Sequence, residues 1–253
     1  MTPSTMPEDT PPHGIGASVP RSGHSFLRRC LLAYFGRGGM AFCAPGGRHE
    51  CCGVIPCRQA GGASFFYQKN HDFTLGLDHA RQAPWLFYLV QYRHPLPQIL
   101  SYTEFAEDKR GSPQPEAVHL RWLARQVRYL KGFSEKWVGT GRPDIIELRY
   151  EDLIADPETH LGAVIARAAG TVDAPRLREA IAKVSGFRRR TEPYRPRDIA
   201  ASRHFDPALH GAFEALALAE APRLAYAPIL GHGAPDPEHP LTRAYRAIGE
   251  EHR

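Results

Sequence analysis

The chain has 253 residues, 42% of them hydrophobic and 23% charged, with a mean hydropathy of −0.40 and a net charge of +5. These proportions describe a globular chain and exclude a collagen, a wholly disordered chain and a membrane bundle. The basic excess favours an anionic partner, is too small to call for nucleic acid, and is carried by 27 Arg against 5 Lys.

Residues 1–13 are Pro-, Thr- and Ser-rich with little to bury, and are expected to form a disordered leader. They lack a basic start followed by an apolar stretch, and no later run reaches the roughly 20 apolar residues of a membrane span, so the expected location is the cytoplasm. Ile15–Val19 reads as a short buried strand, Pro20–Ser25 as a turn and Phe26–Phe35 as a helix ended by Gly36. Met40–Gly62 is rich in Cys, Gly and Pro and is expected to be irregular. Ala63–Gln68 and Trp85–Tyr92 read as strands, and helices are expected over Pro97–Ala106 and Pro115–Val138. A strand at Asp144–Leu148 precedes helices at Pro157–Ala169, Pro175–Val184 and Pro207–Ala221. The alternation implies one α/β domain over residues 14–230, a central parallel sheet flanked by helices, with a Pro- and Gly-rich tail at 231–253.

Three segments carry chemistry. The turn Pro20-Arg21-Ser22-Gly23-His24-Ser25 lies between a strand and a helix, where backbone amides can cradle a phosphate. A nucleotide P-loop needs Gly, four residues and Gly-Lys-Ser/Thr; here Ser18 replaces the first Gly and His24 the Lys, and the cation stands earlier at Arg21. Arg93-His94-Pro95 follows the apolar strand, with Ser101 eight residues after Arg93 and Tyr102 beside it; a guanidinium fork and a hydroxyl suit a phosphate monoester. Arg149-Tyr150-Glu151-Asp152-Leu153, then Asp156-Pro157, joins a strand to a helix start. Taken singly, each segment also has a plain structural reading as a turn, a helix start or a cap.

Together and in this order, these segments resemble the sulfotransferases that use 3′-phosphoadenosine 5′-phosphosulfate (PAPS). Pro20–Phe26 is similar to that family's 5′-phosphosulfate loop, Leu89–Pro95 with Ser101 to its 3′-phosphate segment, and Ile146–Leu153 with Asp156-Pro157 to its third block. The likeness covers about Ile15–Gly170. It implies a P-loop-type nucleotide fold and a PAPS site made of Arg21, Ser22, Gly23, His24, Ser25, Phe26, Arg93 and Ser101. His24 and Phe26 depart from the family's usual Thr and Trp. The family's basic loop over the 3′-phosphate has only Arg188–Arg190 and Arg195 with Arg197 as candidates.

The resemblance also makes Lys69-Asn70-His71-Asp72 the counterpart of a Lys-Thr-His pattern. It implies His71 as general base, with an unperturbed pKa near 6.5, assisted by Lys69 and by Arg21 at the leaving phosphate. Asp72 could orient His71; Glu104 or Glu107 could serve if the base is a carboxylate. The alternative for His71 is a surface histidine in a chain with 13. A sulfuryl group carries less charge than a phosphoryl group, so no metal is expected.

All five Cys lie between Cys30 and Cys57, at 30, 43, 51, 52 and 57, without zinc-knuckle spacing. Thiols, a zinc or disulfide staple and a redox switch remain open, and the segment is expected to be an acceptor-side loop pinned by local Cys chemistry. The expected activity is sulfuryl transfer to a hydroxyl or amine of a carbohydrate, lipid or small molecule, with a pocket built from Met40–Ala63 and Lys109–Leu120. The competing functions are a small-molecule kinase of the P-loop type and a non-catalytic nucleotide-binding module. Nothing in the sequence encodes the oligomeric state.

Overall fold

The computed structural model describes residues 11–44, 54, 57, 62–77, 85–111, 115–191, 199–231 and 233–250, side chains of 187–191 excepted. Five strands share one sheet: β1 (His13–Ser18), β2 (Met40–Cys43), β3 (Phe65–Asn70), β4 (Leu86–Tyr92) and β5 (Ile145–Arg149). Their spatial order is β2-β3-β1-β4-β5, and every pairing is parallel. β4 is buried at all seven positions, as an apolar run interrupted only by Gln91 requires of a strand covered on both faces. Leu86, Tyr88 and Val90 enter one core while Phe87 and Leu89 enter the other, so one strand feeds both layers at period two.

One face is covered by α1 (His24–Phe35), α5 (Pro157–Ala169) and α6 (Ala174–Thr191), which bury Leu27, Leu31, Val164 and Leu177 against Tyr67 and Leu89. The other face carries α3 (Glu116–Trp137), α7 (Pro207–Glu220) and α8 (Pro240–Glu250). Leu123, Val127, Leu130 and Trp137 of α3 recur at helical spacing, and all are at most 1% exposed. α2 (Pro95–Arg110) and the short α4 (Tyr150–Ala155) sit at the carboxyl ends of the strands.

The expected single α/β domain with a central parallel sheet is the observed architecture. Several boundaries differ. β1 begins at His13, within the expected leader, because His13 is 1% exposed and its Nε2 lies 3.2 Å from Gln68 Oε1; residues 1–10 lie outside the described residues. β2 forms inside the segment expected to be irregular, since Met40 and Cys43 find buried sites beside β3 although four residues are too few to show a period. α2 is longer at both ends: Pro95 is tolerated in a first turn capped by His94, and the charged last turn runs on until Gly111 takes a left-handed φ of 74°. The tail, Pro- and Gly-rich and then weakly helical by its sequence, contains α8, whose Leu241 and Ile248 are buried against the α3 side of the sheet. No described helix is long and apolar enough to cross a membrane.

The chain leaves β1 towards β2 and β3 on one side and returns to β4 and β5 on the other. β1 therefore marks the switch point, and a crevice opens at the carboxyl ends of β1, β3 and β4.

Candidate active site

The turn after β1 is the first component. Arg21 has φ 69° and Gly23 φ 87°, two left-handed positions in three residues that turn successive amides towards one side. At Gly23 a side chain is excluded twice over, by the backbone angle and by Tyr150, whose Cδ2 would lie 2.6 Å from a Cβ. Arg21 has no such need for glycine, and holding an arginine there is strain of the kind found at functional sites. The Phe26 and Leu27 amides bond back to the Gly23 carbonyl, which leaves the amides before them at the open end of α1. That end has no side-chain cap and no acidic residue in its first turn, so its positive dipole is uncompensated.

A cavity of about 310 Å³ opens over this turn. From the turn it is lined by Pro20, Arg21, Gly23, His24 and Ser25. The segment at and after the end of β3 adds Lys69, His71 and Phe73, and the end of β4 adds Arg93. One face of α2 supplies Ser101, Tyr102, Phe105 and Lys109, and Tyr150 closes the side at β5. Among the described residues its lining holds four cations, Arg21, Lys69, Arg93 and Lys109, and no carboxylate. Arg21 Nε donates to Ser101 Oγ at 3.0 Å, tying the turn to α2. The Arg93 guanidinium lies over the Tyr150 ring at 4.4 Å, and Arg21 over Phe105 at 5.1 Å. Arg21 and Arg93, distant in sequence, share one cleft.

His71 is held through one ring nitrogen. Nδ1 lies 2.7 Å from the Ser18 carbonyl oxygen, which can only accept, so Nδ1 carries the proton and Nε2 the lone pair. The Ser18 hydroxyl is 3.0 Å from the same Nδ1, and the Tyr129 hydroxyl donates to the His71 carbonyl at 2.5 Å. Burial and the Lys69 charge push the imidazole pKa down to about 4, so His71 is neutral at pH 7. Burial, helped by Arg28, Arg21 and Lys109, also lowers the Lys69 ammonium from its ordinary value.

His24 reaches beneath the turn. The Tyr67 hydroxyl lies 2.8 Å from His24 Nδ1, and burial raises the Tyr67 pKa so that it stays protonated and donates. Burial, with Lys69, His71 and Arg28 nearby, holds His24 well below 6.5. A neutral histidine thus pins the start of α1 to β3.

Of the other residues expected at the site, Ser22 and Phe26 do not line the cavity; both are buried beneath it, Phe26 in the α1 core. Asp72 does not orient His71. Its Oδ2 accepts from Trp137 Nε1 and Lys136 Nζ, each at 2.8 Å, and its Oδ1 from the Leu77 amide, so the carboxylate is consumed in closing the loop against α3. Glu104 and Glu107 also turn away, towards Ser202 at 2.8 Å and His204 at 3.0 Å. The side chains of Arg188–Arg190, and Arg195 and Arg197, lie outside the described residues, as do Cys51 and Cys52. Cys30 is buried in the α1 core, and Cys43 and Cys57 pack with Phe66. Among the described residues no group of three or more metal-ligating side chains occurs.

The sequence reading missed Ser18, Phe73, Phe105 and Tyr150. Tyr150 alone carried a legible signal, as the aromatic within the third block, where it forms the floor under Arg93 and the wall against Gly23.

No protein-family model and no curated protein matches the sequence. Among solved structures, the fold is similar to that of mouse sulfotransferase SULT7A1 complexed with PAP, with a TM-score of 0.62 at 13% identity over 85% of this chain and 89% of that one. A sulfotransferase domain from the Synechococcus PCC 7002 olefin synthase aligns over 88% of this chain and 98% of that one at 19% identity, with a TM-score of 0.45. The chain therefore has a sulfotransferase-like fold.

Proposed function

We propose that this chain is a sulfotransferase that moves a sulfuryl group from PAPS to an acceptor hydroxyl, with His71 as general base. The observation that carries the reading is the single cavity in which Arg21, Lys69, His71, Arg93 and Ser101 meet. The donor set fits a polyanionic nucleotide, since Arg21, Lys69 and Arg93 gather around an uncapped helix start with no opposing carboxylate among the described lining residues. In this reading Arg21, Gly23 and Ser25 hold its 5′ end, and Arg93 with Ser101 its 3′-phosphate. The bound nucleotide supplies the activated sulfuryl group and a phosphate leaving group.

The chain's own contribution is orientation and proton transfer. His71 Nε2, with its lone pair, accepts the acceptor's hydroxyl proton as the new S–O bond forms, while Nδ1–H to the Ser18 carbonyl steadies the imidazolium. Arg21 and Lys69 stabilise the negative charge left on the phosphate when the old S–O bond breaks. His24, bonded to Tyr67, occupies the position where a kinase loop carries its phosphate-binding lysine, which weighs against ATP as donor. The expected cytoplasmic setting belongs to this reading as well.

The test is a thermal-shift comparison of adenosine 3′,5′-bisphosphate with ATP, followed by incubation with radiolabelled PAPS and a panel of phenolic, glycan and lipid acceptors. The bisphosphate stabilises the chain more than ATP, and Arg21→Ala or Arg93→Ala removes most of that gain. Stronger stabilisation by ATP, or a gain insensitive to both variants, overturns the reading.

A further inference from the structure

α2 presents two chemically different faces. Its acidic residues Glu104, Glu107 and Asp108 engage Ser202, His204 and Arg203 on the side away from the cavity. Ser101, Phe105 and Lys109, spaced by four, lie on the opposite stripe and line the cavity. At 1.5 Å per residue, Lys109 stands about 12 Å along the helix from Ser101, which is the end bonded to Arg21. The cavity therefore has an inner, phosphate-binding end near Ser101 and an outer rim at Lys109.

Between these ends the walls are aromatic. Phe73 is 56% exposed, with its ring 5.2 Å from the His71 ring, and Phe105 faces the same space at 38% exposure. The Lys109 ammonium lies 4.6 Å from the Phe105 centroid, drawn against the wall, and no carboxylate pairs with it among the described residues. An exposed pair of aromatics beside a proton-accepting nitrogen is a place for a flat apolar body. An unneutralised ammonium at the rim is a place for a negative charge.

From this arrangement we propose that Lys109 selects acceptors that carry an anionic group, such as a carboxylate, at the end remote from the reacting hydroxyl. With that hydroxyl at His71 Nε2 and the acceptor's body along Phe73 and Phe105, the anion meets Lys109. A protonated amine acceptor is disfavoured by the same cations. This inference rests on the sulfotransferase reading and narrows its acceptor.

The test uses ω-(4-hydroxyphenyl)alkanoic acids of increasing chain length, each beside its neutral methyl ester, with PAPS as donor. At the best length the acid exceeds its ester about 2- to 5-fold in kcat/KM, the worth of one rim ion pair. Lys109→Gln abolishes that preference through the KM of the acid, and Lys109→Glu reverses it, while the Kd of adenosine 3′,5′-bisphosphate measured by calorimetry does not move. An ester as good as its acid at every length overturns the proposal. So does Lys109→Gln weakening the bisphosphate by the same factor as the acid, which would assign Lys109 to the nucleotide. If no acceptor of any class is sulfated and the bisphosphate does not bind, the sulfotransferase reading itself has failed.

Discussion

At the scale of single residues, His71 and Gly23 are the most exacting positions. His71 Nδ1 is committed to a carbonyl, so the ring has one orientation and one basic nitrogen. His71→Ala is expected to lower kcat about 10²- to 10⁴-fold, with little change in bisphosphate affinity, as steady-state kinetics and calorimetry will report. Because burial and Lys69 hold the pKa at about 4, the acid limb of kcat/KM falls near that value, leaving activity level between pH 8 and 5.5. An ordinary histidine would lose half its activity near 6.5, so a midpoint there would contradict the burial argument. At Gly23, alanine would need a left-handed backbone and would press its Cβ against Tyr150 at 2.6 Å. Gly23→Ala should weaken bisphosphate binding at least 10-fold by calorimetry, because the displaced Tyr150 also supports Arg93.

Among elements, the join between β3 and α3 positions His71. The loop after β3 turns through Asp72 at φ 47°, and its carboxylate gathers Trp137, Lys136 and the Leu77 amide. The Asp72 side chain is 2% exposed and that of Lys136 14%, so removing one partner leaves the other charge poorly solvated. Asp72→Ala is expected to destabilise the chain by about 3 kcal/mol in urea unfolding, in the range for breaking a buried ion pair. Asp72→Asn, which keeps an acceptor for Trp137, should cost less. The carboxylate read in the sequence as a catalytic partner is thus a fastening between two elements. What orients the imidazole is Ser18, more than fifty residues away in the chain and adjacent only because β1 and β3 pair in parallel.

For the whole molecule, histidine burial sets the response to acid. His13 and His71 are held at about 4 by burial, and His24, His94, His119 and His210 are lowered by the same cause. Below pH 6.5 the unfolded chain binds protons at these positions that the folded chain refuses, at His13 and His71 until about pH 4. The unfolded state therefore gains on acidification, and stability falls as pH drops through this window. The melting temperature should be level from pH 8 to 7 and decline steadily from 6.5 to 5. His13→Gln should flatten that decline, and a melting temperature unchanged between pH 7 and 5 would refute it.

Much of this was written in the chain. The apolar run at 85–92 read as a central strand, and the glycine turn, the Arg93–Ser101 spacing and the Lys69–His71 pair stood at strand ends where an α/β sheet gathers its ligands. Local pattern suffices for such features because periodicity and turn chemistry act over a few residues. Tertiary structure alone decided that Asp72, Glu104 and Glu107 turn away from the cavity, which nitrogen of His71 is basic, and that Phe73, Phe105 and Lys109 line one space. Those outcomes depend on groups tens of residues apart competing for the same donors and the same space, and that competition is resolved only when the sheet assembles.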